Sequence, residues 1–222
     1  MMAEHGGQTG TDCRIAVWGA SGHAAVVADA ICESGFEVAA FLVDRQFGEA
    51  DPHARPPRYL SDEGLKILVR AGIGKLAVGI GDNDARLLRA ETALNCGFIL
   101  PLIAHPSAVI SKTSVVGDGV FVNAGAVLMA NSTVSRMAII NSRAVIEHDC
   151  WIGEGAHVCP GVCMGGHVRV GAQSFIGVGA VLRDRVNVGA GSIIGAGSVV
   201  VSDVPPGVVV YGNRARVRRE KR

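Results

Sequence analysis

A histidine beside a carboxylate is the smallest side-chain pairing that can move a proton near neutral pH, and here it sits in a dense polar stretch. The stretch reads Val145-Ile146-Glu147-His148-Asp149-Cys150-Trp151-Ile152-Gly153-Glu154-Gly155-Ala156-His157. The Asp149 carboxylate can orient the His148 imidazole and raise its basicity, as a general base requires. His157 and His167 follow on the same segment. A second constellation lies near the N-terminus, where an apolar run ends in Gly19-Ala20-Ser21-Gly22-His23, with Asp44 and Gly81 further on. Gly22 allows a ligand close to the backbone, and the start of a helix beside it favours a phosphate. Asp44 is placed to accept from a ribose or a sugar amine. The turn lacks the three-glycine GxGxxG spacing, so a nicotinamide site is poorly supported, and a tight turn with no ligand is the competing reading.

The elements that must carry the first constellation follow from a period of six. From Ala108 to Asp203 the chain divides into sixteen hexapeptides without insertion or loss, and the third residue of each is aliphatic or Met, from Ile110 and Val116 to Ile194 and Val200. The first position is small (Ala108, Ser114, Val120, Cys150, Val162), and Gly dominates the fourth (Gly117, Gly153, Gly165, Gly171, Gly177, Gly189, Gly195). Period six excludes an amphipathic helix and points to a β-solenoid. Each hexapeptide supplies a short strand with its large residue inward, then a sharp turn where Gly provides positive φ or close backbone approach. Three hexapeptides close an eighteen-residue triangular coil, so the prism has a little over five coils and stands about 25 Å tall. His148, two residues past inward Ile146, falls at a corner, and His167, one coil plus one residue further, stacks near the same edge.

The second constellation belongs to alternating strands and helices. Arg14–Gly19 reads as a strand, 24–33 as a helix, Phe36–Val43 as a strand ending at Asp44, 62–71 as a helix, Lys75–Ile80 as a strand, 84–95 as a helix and Phe98–Ile103 as a last strand. This predicts a small parallel Rossmann-like sheet with helices on both faces, whose ligands bind beyond the carboxyl ends of the strands. Ser21, Gly22, His23, Asp44 and Gly81 all lie at those ends. The organisation is therefore a loose tail (1–13), an α/β domain (14–104), a β-helix (105–213) hinged at His105-Pro106, and a solvated basic C-terminal tail (214–222).

A net charge of +1 offers no electrostatic case for nucleic acid or a membrane surface. Hydrophobic content of 49% with only 5% aromatic suits a core of Val, Ile and Ala, and no apolar run is long enough to span a bilayer. The first thirteen residues lack the apolar core of a signal peptide. The six cysteines form no CxxC pair, Cys150 takes an inward small position, and a cytoplasmic protein with reduced thiols is expected.

The combination of GASGH, FLVD and VIEHDCWIGEGAH resembles the bacterial nucleotide-amino-sugar N-acetyltransferases of the hexapeptide-repeat acyltransferase family, close to the sialic acid O-acetyltransferase-like proteins. The resemblance runs from about Arg14 to Arg216. It implies a left-handed parallel β-helix and a homotrimer with active sites between neighbouring prisms. It further implies acetyl-CoA as cosubstrate, no metal, and a nucleotide-linked amino sugar as acceptor. Carried over, His148 is the general base and Asp149 its partner. His157 contacts acetyl-CoA, the Gly166 N–H meets the thioester carbonyl, and Val178 and Ala196 line the pantetheine groove. Ser21, Gly22, His23, Asp44 and Gly81 hold the nucleotide sugar, with Asn141 at the edge of the site. Related chains end in G-x-P-A-K/R, whereas here Arg214 replaces the proline, an arginine that can meet a phosphate of CoA. Three rival readings remain: a sugar O-acetyltransferase, a non-catalytic hexapeptide scaffold, and a zinc carbonic anhydrase. The last needs a close histidine pair, whereas His148, His157 and His167 are spaced nine and ten residues apart.

Overall fold

The structure is a computed structural model and describes residues 12–221. Most of the expected N-terminal tail, residues 1–11, lies outside the described residues. The chain begins with β1 (Arg14–Trp18), α1 (Gly22–Glu33), β2 (Glu37–Val43), β3 (Arg58–Leu60), α2 (Ser61–Arg70), β4 (Leu76–Val78) and α3 (Asn83–Asn95). The four strands make one parallel sheet in the order β3-β2-β1-β4. Alternate residues of β1 enter opposite layers, as the period of two in a strand requires. Ile15 and Val17 pack with Ala24, Val27 and Ile31 of α1. Ala16 and Trp18 pack with Leu65 and Leu68 of α2 and Ala90 and Ala93 of α3. Helices therefore cover both faces, as predicted.

From β5 (Ile103–Ala104) to β21 (Val199–Val200) the described chain is a left-handed parallel β-helix of two-residue strands. Each strand pairs with the one eighteen residues on, for example Thr133 with Trp151 and Trp151 with Arg169, so three hexapeptides make one coil. Three sheets result. We call C the face carrying Phe121, Ile139, His157 and Phe175, D the face carrying Val127, Val145, Cys163 and Val181, and E the face carrying Thr133, Trp151, Arg169 and Asn187. The inward residues from Val122 to Val200 form one buried cluster, and Cys150 sits inside it as a small residue. Ile110 and Val116, at the first coils, are only partly buried.

The two uses of glycine separate by position. Fourth-position glycines make room for the coil above: a Cβ on Gly153 would lie 2.5 Å from the Ala172 nitrogen, and one on Gly171 2.3 Å from that of Ala190. Positive φ belongs instead to the sixth position, filled by Gly155, Gly161 and Gly179 but also by Asn131, Asp149 and His167.

Three boundaries differ from expectation. The segment 98–103 is not one strand: Ile99 makes a single bridge to Lys75, and Ile103 already pairs with Phe121 in the prism. The β-helix thus starts at Ile103, before the predicted 105, because Ile103 is buried against α1 and lies eighteen residues ahead of Phe121. β3 was not anticipated, being three residues long and only half-buried. The C-terminal segment is no loose tail. After β22 (Val208–Tyr211) the chain reverses into β23 (Arg216–Glu220), which pairs antiparallel with β22. Its side chains are solvated as expected, but its backbone groups are taken by the neighbouring strand.

Candidate active site

His148 and Asp149 occupy the corner between the D strand Val145–Ile146 and the E strand Trp151–Ile152. The corner is held by coil-to-coil hydrogen bonds, Asp149 N–H to Ala130 O at 3.0 Å and His167 N–H to His148 O at 3.0 Å. Asp149 adopts φ 59°, a region open to Asp but costly for most side chains. This conformation brings its Oδ2 to 2.7 Å from His148 Nδ1. The His148 hydrogen bond, and then one from Asn131 Nδ2 at 3.2 Å, hold the Asp149 carboxyl below the usual carboxylate range. An ionised carboxylate only accepts, so Nδ1 of His148 donates and the lone pair is left on Nε2. The side chain is 52% exposed, so that lone pair is accessible. Above the ring lies Gly166, one coil on. A Cβ there would come within 2.6 Å of His148 Cε1 and 2.7 Å of Nε2, so the ring position depends on glycine. His167 stands edge-on to His148 with ring centroids 5.2 Å apart.

The second cluster is at the junction of the two domains. His157 on face C is only 8% exposed, with Nδ1 3.3 Å from Gly81 O and Nε2 3.4 Å from Asn141 Nδ2. The Asn141 Oδ1 accepts from Asn123 Nδ2 and Ser142 N, which turns its amide nitrogen toward His157. The His157 ring lies 6.1 Å from that of His23 and 5.2 Å from that of Phe175. Burial first, then the Arg86 charge, holds both histidines down to about 4, so both are neutral at pH 7. Nε2 of His23 is buried without a hydrogen-bond partner. A cleft of about 420 Å³ opens beside this cluster, lined by Gly81, Asn83, Asp84, His157, Phe175 and Lys221.

Arg86, not singled out from the sequence within its helix, fastens this junction. It is 1% exposed and donates to Met137 O at 2.9 Å and Gly155 O at 2.7 Å in the prism, and to Ile80 O and Gly81 O in the α/β domain. Burial pushes its guanidinium down to about 10.

At the carboxyl ends of the sheet strands, Ser21 caps α1 without a side-chain hydrogen bond, and a Cβ on Gly22 or Gly81 would meet open space. The fold itself therefore does not demand glycine at either place. Gly19 differs: with φ 144° and Gly79 O at 2.6 Å from a would-be Cβ, it is required by packing. Asp44 already accepts from Trp18 Nε1 at 3.2 Å and from Arg89 Nε at 3.0 Å, leaving part of its acceptor capacity for a ligand. Neither partner was anticipated.

The single chain does not gather the expected acetyl-CoA residues into one place. His148, Asp149 and Gly166 lie at the D/E corner. Val178 and Ala196 lie one coil apart at the C/D corner, bonded by Gly197 N–H to Val178 O, and Asn141 and His157 lie beside that edge on the C side. The outward column of face D separates them, and it is apolar throughout: Val109, Val127, Val145, Cys163, Val181 and Val199. Asn131, the other missed residue, was findable, since it precedes Asp149 by one coil.

A family model for the PglD N-terminal domain matches residues 14–93. PerB from Caulobacter crescentus, solved with CoA and GDP-perosamine, is 38% identical, with 92% of this chain and 96% of that chain covered and a TM-score of 0.85. The acetyltransferase domain of PglB from Neisseria gonorrhoeae is 34% identical over 92% of this chain and 99% of that chain, also at a TM-score of 0.85. The chain belongs to the hexapeptide-repeat nucleotide-amino-sugar N-acetyltransferases. WeeI from Acinetobacter baumannii is similar at 25% identity, with 92% and 99% covered and a TM-score of 0.82. Variants of the Caulobacter perosamine N-acetyltransferase with one histidine replaced by Asn or Ala were solved with the same two ligands. The acetyltransferase described here is an acetyl-CoA-dependent enzyme of this fold.

Proposed function

We propose that the protein transfers the acetyl group of acetyl-CoA to the amino group of a nucleotide-linked 4-amino sugar, with His148 as general base. The observation that carries this reading is the His148–Asp149 pair, whose Nδ1 bond leaves an exposed Nε2 beside Gly166. The neutral amine attacks the thioester carbonyl carbon and the C–N bond forms. His148 Nε2 removes the proton of the developing ammonium, the C–S bond breaks, and the imidazolium returns a proton to the departing thiolate. Asp149 stabilises the imidazolium in between. The Gly166 N–H, without a protein acceptor among the described residues, is the donor we assign to the carbonyl oxygen as it becomes an oxyanion.

We further propose that residues 14–104 bind the nucleotide sugar through Ser21, Gly22, His23, Asp44 and Gly81, while the β-helix binds acetyl-CoA through His157, Val178 and Ala196, with Asn141 at its edge. The active unit is a homotrimer. The apolar D face, with Val181 45% exposed, supports it, because two prisms meeting there bring the D/E corner of one toward the C/D edge of the next. Among the described residues no helix is long and apolar enough to cross a membrane. A cytoplasmic location is supported by the six free thiols and the use of acetyl-CoA.

The test is CoA release with a panel of UDP-, GDP- and dTDP-linked 4-amino sugars, comparing the wild type with His148→Ala. Turnover on one donor, reduced about 10²–10⁴-fold in the variant, is expected. Equal turnover in both proteins overturns the assignment of the base. Acetyl-CoA binding without turnover on any amine directs the search to hydroxyl acceptors.

A further inference from the structure

Asn131, Asp149 and His167 hold the same sixth position in three successive coils, with φ of 59°, 59° and 60°. The repeat thus aligns their side chains in a column along the D/E corner. His167 does nothing in the transfer just described, yet its Nε2 lies 3.9 Å from Asp149 Oδ2, the oxygen bonded to His148. Among the described residues His148, Asp149 and His167 each offer one ligand atom, all within 4.8 Å of one another. Tetrahedral zinc, with bonds near 2.0–2.2 Å, needs ligand atoms about 3.3 Å apart, so the widest gap must close by about 1.5 Å at most, while the 2.7 Å His148–Asp149 pair opens. Their side chains are 52%, 37% and 44% exposed, which leaves room for that rotation. Two imidazoles and one carboxylate suit zinc and its neighbours better than magnesium or calcium, which prefer oxygen.

We propose that His148, Asp149 and His167 form a site for a divalent transition-metal ion, zinc fitting best, and that its occupancy turns the general base off. Zinc on His148 Nδ1 displaces that proton to Nε2, so the base loses its free lone pair and its carboxylate partner together, and the ion acts as an inhibitor and not as a cofactor. The inhibition rests on the acetyl-transfer reading, whereas the binding does not.

The experiment uses the full chain stripped with EDTA and titrated calorimetrically with zinc chloride, as wild type and as His167→Asn. Asn suits φ 60°, as Asn131 shows two positions along the column, and His167→Gln serves if the first variant does not fold. Wild type is expected to bind zinc about tenfold or more tightly than the variant. Acetyl transfer by wild type falls with added zinc and returns with EDTA. The variant keeps its zinc-free turnover and needs about tenfold more zinc for the same inhibition. The exposed thiols of Cys13, Cys32, Cys96 and Cys163 are competing zinc ligands. No zinc binding, or equal binding to both proteins as thiol capture would give, overturns the site. Equal inhibition of both overturns the switch. If no amine is ever acetylated, the functional reading fails, and the calorimetric comparison still decides the site.

Discussion

Replacing Gly166 with Ala tests the geometry of the base without touching the base. The added Cβ would sit 2.6 Å from His148 Cε1 and 2.7 Å from Nε2. Carbon contacts settle at about 3.5–4.0 Å, so the imidazole must retreat by roughly 1 Å. Gly166 is not among the positive-φ glycines, so its backbone accepts Ala, and the ring is the part free to give way. The retreat pulls Nδ1 from its 2.7 Å bond to Asp149 and moves Nε2 from the reacting amine. A displacement of that size costs about 10²-fold in rate, or about 2.7 kcal/mol of activation free energy. The assay is acetylated sugar measured by chromatography, because the exposed cysteines would consume a thiol reagent. The melting temperature should stay within about 2 °C, as expected of a substitution outside the core. In the His148→Ala background the second substitution should add nothing, as coupled residues in a double-mutant cycle do. Wild-type turnover by Gly166→Ala would refute the reasoning, as would full additivity with His148→Ala.

Further outcomes follow from the junction and the D face. His23 and His157 titrate at about 4 when folded, because of burial and Arg86, against 6.5 when unfolded. The unfolded chain therefore takes up protons that the folded one refuses, so their contribution is complete above about pH 6.5 and lost as pH falls toward 4, up to ~3 kcal/mol per histidine. Denaturant titrations at neutral and acid pH should show this slope, and substituting both histidines should flatten it. Arg86→Met strips the charged donor from carbonyls on both sides of the junction and should cost at least ~3 kcal/mol, seen as a lower denaturation midpoint. A loss under ~1 kcal/mol would mean water replaces the guanidinium. Val181→Asp on face D should leave the circular dichroism spectrum intact while sedimentation shows a monomer without activity, and an active trimer would exclude that face as the interface.

Several placements were legible because period six ties sequence distance to space. The pairing of Thr133 with Trp151, the inward Cys150, the corner position of His148 and its stacking with His167 all follow from counting in eighteens. The half-coil offset of His157 from His148 was legible too, though not that the domain packed on face C would bury it. β23 was missed because five exposed residues, most of them charged, carry no apolar alternation. Their order comes from the free edge of β22. Arg86 was missed because nothing in an amphipathic helix marks which polar residue will face another domain. Its partners at Met137 and Gly155 are 51 and 69 residues away.

By itself the sequence determined the coil, the register and the residues at each corner, since each depends on neighbours within one eighteen-residue turn. Tertiary structure alone decided how the α/β domain seats on face C, which buries His23 and His157 as neutral groups around Arg86. It also decided that Trp18 and Arg89 occupy Asp44, and that the apolar D face divides the expected acetyl-CoA residues between two edges. The physical reason is range: a repeat specifies what lies one coil away, whereas desolvation and partner choice between domains depend on surfaces that meet only after both have folded.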